Sequence, residues 1–365
     1  MIRIVLGFAA ALVALAASAG DGLYSEADFA AVPKFDAHVH ANRLGHEFLD
    51  IARKDGFELL SINVDYPDFP PLAEQAKVAH ALKAEDLKRF HFATTFSMKG
   101  FGTKGWAGKT IRHLDEEFAK GALAVKVWKN IGMVEKNAAG QLIMLDDPGF
   151  DPVMDHLAAR HIPLIAHQGE PKNCWLPLDQ MTTENDRSYF REHPEYHMYL
   201  HPEQPSLETI LAARDRLIER HPELSVDGAH MGSLEWDVDL LAKFLDAHPK
   251  AVVDLAARMT NVQHQSVRDY DKVQMFFIRY QDRLLYGTDL TDNPPSPSER
   301  AQNPPREDGG IEAEADQFWR SDWRYLATTG SQRIDAVESD VKGLGLPKSV
   351  IDKIYWANAQ REFRL

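Results

Sequence analysis

The sequence predicts a (β/α)8 barrel, and three observations carry that prediction. Eight short β-branched or apolar runs recur along the chain, most of them separated by a helical pattern. Several runs are apolar almost throughout, as in Ile162-Pro-Leu-Ile-Ala and Ala251-Val-Val-Asp-Leu, which suits strands covered on both faces. Histidines and an aspartate stand at the carboxyl ends of several runs, the end at which barrels place their chemistry. A doubly wound open sheet is the competing α/β architecture. It is disfavoured because no Gly-rich phosphate fingerprint follows any strand.

The elements follow in order. The first three strands are expected at Lys34–His40, Phe57–Asp65 and Phe90–Ser97. A helix over Ile111–Lys120 places Ile111, Leu114 and Phe118 on one face, and Gly121 stops it. The fourth strand, Ala122–Lys129, is followed by a helix over Pro152–Arg160 and by the fifth strand, Ile162–Gln168. A long connection from Glu170 to about Pro205, rich in Pro, Trp, Tyr, Phe and His, then leads to a helix over Ser206–Arg220. His221-Pro222 ends that helix and His248-Pro249 ends the next. The last strands are Leu224–Met231, Ala251–Arg258 and Leu284–Leu290. A second long connection, Thr291 to about Gly310, carries Pro294-Pro-Ser-Pro, Pro304-Pro and Gly309-Gly. Long loops in compact folds tend to be lids or binding loops, and both of these leave the expected catalytic face. No internal repeat or second domain is evident, so residues 20–365 read as one domain.

Composition narrows the function. The chain has 365 residues, 44% hydrophobic and 26% charged, which are ordinary globular proportions. The net charge of −14 and the absence of a basic run exclude a nucleic-acid partner. A single cysteine, Cys174, forms no internal disulfide and no Cys-based metal finger. Residues 1–19 read as a secretory signal: Arg3, an uncharged apolar run from Ile4 to Ala17, then Ala17-Ser18-Ala19 before the cut. The run is shorter than the roughly 20 residues needed to span a bilayer. A periplasmic or secreted protein without a membrane anchor after cleavage is therefore expected, with a homodimer as the default assembly.

The chemistry sits in the polar residues of the strand ends. His38 and His40 are two apart, so both imidazoles share one face of the first strand. The fifth strand ends in His167, the sixth in His230 and the eighth in Asp289. A lone strand-end histidine is more often a hydrogen-bonded core residue. The set on four strands of one barrel is hard to obtain by chance, and a metal ion satisfies such buried groups directly. The other histidines take the ordinary reading. His161, His221 and His248 lie at helix ends, and His80, His113 and His156 lie on helix surfaces. His197 and His201 lie in the first long loop, within reach of a substrate.

Here the sequence resembles the amidohydrolase superfamily, specifically the amidohydrolase-2 branch that includes aminocarboxymuconate-semialdehyde decarboxylase-like enzymes. The resemblance runs from Phe35-Asp-Ala-His-Val-His to the closing Trp356-Ala-Asn-Ala-Gln-Arg-Glu-Phe. It implies that His38, His40 and His167 bind a divalent metal, usually zinc, with Asp289 as a further ligand. His230 would polarise the substrate or, in two-metal members, hold the second ion. Binuclear relatives bridge two ions with a carbamylated Lys or a Glu on strand four. Lys126 stands on that strand, on the face of Trp128, and a substrate-facing cation is the favoured reading, hence one ion rather than two. Nitrogen and oxygen ligands would also accept manganese or iron.

The implied mechanism is metal-assisted hydrolysis of a C–N or C–O bond (amide, cyclic amide, ester or lactone) in a small substrate, an anionic one suiting Lys126. A zinc with an open position lowers the pKa of its water toward about 7. Asp289 would take the proton and deliver it to the leaving group, while His230 stabilises the oxyanion. Asp36 is a candidate support for the ligands. Arg258 would clamp a carboxylate, and Glu170 would bond a ligand or fix its loop. Trp128 is a candidate wall of the pocket, as are Trp106, Trp175, Tyr189, Phe190 and Trp236. Non-oxidative decarboxylation uses almost the same ligands and is the alternative. A metal-binding barrel without catalysis is a third reading, disfavoured by the presence of Asp289 and His230 together.

Overall fold

The computed structural model describes residues 22–67, 69–294 and 310–365. The expected signal peptide and most of the second long connection lie outside the described residues. Among the described residues no helix is long and apolar enough to cross a membrane.

Strands β1 (Lys34–Ala41), β2 (Phe57–Ile62), β3 (Phe90–Thr95), β4 (Ala122–Val127), β5 (Leu164–Ala166), β6 (Val226–Gly228), β7 (Ala251–Asp254) and β8 (Leu284–Leu285) pair in parallel, each with the next. The eighth expected strand is interrupted. Its first part, β8, pairs with β7, and its continuation, β9 (Leu290–Asp292), pairs with β1. Backbone bonds from Leu255 N to Leu285 O (3.0 Å) and from Asp289 N to His38 O (2.7 Å) bridge the interruption on both sides, so the sheet closes into a ring. The interruption has two causes. Asp289 takes a left-handed φ of 69°, and Gly287 packs so closely that a Cβ there would lie 3.0 Å from the His38 Cβ. A bend at Asp289 aims its carboxylate into the mouth instead of along the strand.

Two apolar layers hold the ring. Inside it, Phe35, Leu60, Ile62, Ala93, Ile165, Val252 and Leu285 fill the barrel, and Phe363 plugs the amino-terminal end, stacked on Phe35 at 6.0 Å. The closing segment is fixed by buried Asn358, whose Nδ2 donates to Gln281 O (2.7 Å) and Leu284 O (2.8 Å). Outside the ring, the helices bury their apolar stripes against the strands, as Leu207–Arg220 does with Leu207, Ile210, Leu211, Leu217 and Ile218. The third helix begins at Trp106, five residues earlier than the sequence pattern indicates, because Gly105 (φ 89°) turns the chain and Trp106 joins Phe101 and Phe150 in the core.

The first long connection is ordered by a core of its own, built from Cys174, Met181 and Phe190. His197 and His201 stitch this loop together, through Leu176 O (2.8 Å) and Pro194 O (3.2 Å) respectively. His197 is buried within the loop, whereas His201 braces it at its surface.

Candidate metal centre

The ends of β6, β7 and β8 share a device. His230 (φ 58°), Ala257 (φ 54°) and Asp289 (φ 69°) all take left-handed backbone conformations. Met231, Gly232 and Ser233 continue the run after His230. Such conformations cost of order 1–3 kcal/mol each for non-glycine residues and cluster at functional sites. Here those at His230 and Asp289 bring two strand-end side chains toward one point.

His38, His230 and Asp289 offer ligand atoms that all lie within 4.8 Å of one another. His40 joins them through Nε2, 3.1 Å from Asp289 Oδ1, while His38 Nε2 lies 3.6 Å from the same oxygen. The His167 ring packs 4.2 Å from that of His230, and its buried Nε2 has no partner. The innermost trio thus includes His230, which the sequence set apart for polarising substrate, and His167 stands beside it.

Fixed Nδ1 positions make these nitrogens usable. His38 Nδ1 lies 2.7 Å from Asp254 Oδ2, His40 Nδ1 lies 2.7 Å from Ile62 O, and His230 Nδ1 lies 2.9 Å from Ala256 O. Each acceptor requires the proton on Nδ1 and leaves a lone pair on Nε2, the arrangement of histidines that bind metals. Burial lowers the pKa of His38 and, much further, those of His167 and His230. Burial opposes ionisation of Asp289, yet His230, His40 and His38 outweigh it and hold the carboxyl well below its usual range. Burial thus pushes the His38, His167 and His230 imidazoles toward the neutral form in which histidine ligates a metal. The donor set fits a divalent cation, and the orphaned His167 Nε2 is the atom that such a cation would satisfy.

Asp254 is the functional residue the sequence reading missed. Besides His38, it accepts from His230 N (2.7 Å) and Ala256 N (3.1 Å) through Oδ1. Burial works against its charge, but His38, His230 and Lys126 bring its pKa down to about 2. The signal was a single acid inside an apolar strand. Asp36 supports the site as expected: Oδ1 accepts from His38 N (3.2 Å) and Thr288 N (3.1 Å), and Oδ2 from Thr288 Oγ1 (2.7 Å) and Trp319 Nε1 (2.9 Å).

Lys126 reaches the cluster, with Nζ 3.2 Å from His38 Nε2. Burial lowers its pKa to about 8, against the pull of Asp254, Asp289 and Asp227. Arg258 is buried rather than engaged in a surface ion pair. Glu170 is ion-paired with Lys129, which fixes the start of its loop. Trp128 lies 4.6 Å from Tyr66, and Phe69 continues this aromatic wall to His40 at 5.0 Å. Trp106 and Phe190 are packing residues in separate cores.

The amidohydrolase family model matches residues 35–365. The chain belongs to the amidohydrolase family. That places it among metal-dependent barrel enzymes. Solved structures agree on the barrel. An uncharacterized TIM-barrel protein from Bordetella bronchiseptica is 12% identical, with 91% of this chain and 99% of that one covered and a TM-score of 0.51. The 2,6-dihydroxybenzoate decarboxylase from Rhizobium is 13% identical over 91% and 99% of the two chains, with a TM-score of 0.52. A dihydroxybenzoic acid decarboxylase from Polaromonas, solved with bound manganese, is 13% identical over 92% and 97%, with a TM-score of 0.51. No curated protein matches the chain.

Proposed function

We propose that this amidohydrolase-family member is an exported, metal-dependent hydrolase that cleaves an amide, cyclic amide, ester or lactone in a small substrate. The observation that supports this best is the position of Asp289. It is the solvent-facing member of the cluster, its side chain 31% exposed, whereas that of His38 is fully buried and that of His40 is 7% exposed. An ionised carboxylate between two Nε2 atoms and the open mouth is placed as a base toward incoming water.

His38, His40, His167, His230 and Asp289 would hold the ion, with one ion favoured and zinc the expected metal. When bound, such an ion supplies Lewis acidity and favours deprotonation of water near neutral pH. Asp289 accepts the water proton and returns it to the departing nitrogen or oxygen. Lys126 presents a cation to negative charge on the substrate, and Trp128 orients its apolar part. His230, its Nδ1 proton fixed by Ala256 O, would give its Nε2 lone pair to the ion. Residues 1–19 carry the export part of the proposal.

Decarboxylation is the second reading, favoured by the two buried cations Lys126 and Arg258, which suit a substrate carboxylate. A panel of amides, lactones and esters, assayed with metal and after chelation alongside aromatic carboxylates monitored for CO2, tests the proposal. Metal-dependent hydrolysis that Asp289→Asn abolishes supports it. CO2 release without hydrolysis gives the second reading, and an ion-loaded protein with neither activity gives the non-catalytic barrel.

A further inference from the structure

The chain leaves β6 through an uncommon turn. His230, Met231, Gly232 and Ser233 take φ values of 58°, 58°, 61° and 52° in succession. Bonds from Ser233 N to His230 O (3.1 Å) and from Leu234 N to Met231 O (3.1 Å) close it. Left-handed backbone normally occurs as single residues, and a run with three non-glycine members persists only where its surroundings hold it. At its start, Asp254 Oδ1 accepts from His230 N (2.7 Å). At its end, Gly232 O accepts from Nη1 of Arg214, on the helix Leu207–Arg220. Beyond it, the buried Glu235 carboxylate accepts from Lys172 N (2.7 Å) and the Glu235 carbonyl from Gln265 Nε2 (2.6 Å). Arg214 stands out in this set. It is 1% exposed, and arginine is rarely buried so completely unless paired. Its Nε lies 2.9 Å and its Nη2 2.8 Å from one oxygen of Asp215, and its guanidinium lies 4.2 Å from the centre of the Phe244 ring. Those contacts fix the guanidinium with Nη1 toward the turn. A Cβ on Gly232 would lie 3.1 Å from that nitrogen, so the fit is close.

We propose that Arg214 is a positioning residue for the metal centre: by holding Gly232 O it keeps the left-handed turn formed in the metal-free protein, and the turn keeps His230 directed at His38 and Asp289. Arg214 acts through two residues of backbone rather than on the ligand itself. A methionine of similar length would fill the space against Phe244, so packing alone does not call for a buried guanidinium there. Without the guanidinium the turn relaxes, and metal binding has to restore it at a cost in affinity. The proposal rests on the reading of His230 as a metal ligand.

The test is a cycle of Arg214→Met and Ser233→Gly in the full chain. It is read by zinc affinity in competition with a chromophoric chelator and by the visible spectrum of the cobalt-loaded protein. Ser233 is buried, its hydroxyl unpartnered among the described residues, and glycine takes a φ of 52° without steric penalty. Arg214→Met is expected to weaken zinc binding about 10–100-fold and to alter the cobalt spectrum. Adding Ser233→Gly to Arg214→Met should recover about 5–30-fold of that loss. Ser233→Gly alone should leave the affinity within about twofold of wild type. A role in packing alone would give no such recovery. If Arg214→Met does not fold, Arg214→Lys replaces it in the cycle, since it keeps the charge but loses the fixed fork of donors; the recovery by Ser233→Gly is expected there too. Wild-type affinity and spectrum in the Arg214 variant, or a weakening that Ser233→Gly does not recover, overturns the proposal. His230→Ala separates it from the reading beneath it. If that variant binds zinc as wild type does, His230 is no ligand and both fall. If it loses the ion while the Arg214 variant keeps wild-type affinity, the positioning role alone falls.

Discussion

Asp254→Asn is the most informative perturbation of the centre. Three donors converge on this carboxylate: His38 Nδ1–H at 2.7 Å on Oδ2, with His230 N–H at 2.7 Å and Ala256 N–H at 3.1 Å on Oδ1. An amide has one oxygen and an NH2, so any orientation points N–H groups at one another. If the oxygen keeps the two backbone donors, the NH2 faces His38 and drives its proton to Nε2. That removes the lone pair aimed at the cluster. Loss of such a partner typically costs 10–100-fold in metal affinity, or about 1.4–2.8 kcal/mol. If the oxygen turns to His38 instead, two buried backbone donors lose their acceptor, at about 1–3 kcal/mol of fold stability. The account therefore predicts weaker binding, lower stability, or both. Competition with a chromophoric chelator measures the first and urea denaturation of the metal-free protein the second. Wild-type values in both would refute the assignment of Asp254 as the group that fixes His38.

Other predictions are more compact. Metal at a thousandfold excess over its Kd should stabilise the fold by about 4 kcal/mol and raise Tm by several degrees in a thermal scan; a Tm indifferent to chelator speaks against a site within the folded barrel. Asp289→Asn should lower turnover of any hydrolysed substrate by about two to four orders of magnitude, with the fold intact by circular dichroism. Buried Lys34, lowered to about 7 by burial, binds fewer protons in the folded than in the unfolded chain above that pH. Stability should accordingly rise between about pH 7 and pH 10 by up to a few kcal/mol, and Lys34→Met should flatten that rise in urea midpoints. Trp319→Phe keeps the stack on Phe57 at 4.0 Å but deletes the 2.9 Å bond to Asp36. It should cost about 1–3 kcal/mol in chemical denaturation.

Much of this molecule was legible because its strands are buried on both faces. Runs such as Ala251-Val-Val-Asp-Leu can be neither loops nor surface helices, and each of the eight expected runs overlaps an observed strand. The strand-end positions of His38, His40, His167, His230 and Asp289 followed from the same pattern. Three things did not. The bend that splits the eighth strand depends on the left-handed φ of Asp289, which no periodicity encodes. Asp254 looked like one polar residue in an apolar run until its three donors came from two other segments and a nearby turn. Glu235 lies in a loop, and only the packing of Lys172 and Gln265 against it reveals that it is buried. Aromatic residues were equally opaque. Trp128 faces the mouth and Trp106 the outer core, a distinction made by tertiary neighbours alone.

The central claim is that these strand ends gather one divalent ion. Metal content per chain, measured on protein purified without chelator beside His38→Ala, tests it most directly. The account predicts about one ion per chain in wild type and its loss in the folded variant. An ion-free wild type that takes up no added metal, or a His38→Ala protein that retains the ion, would contradict it.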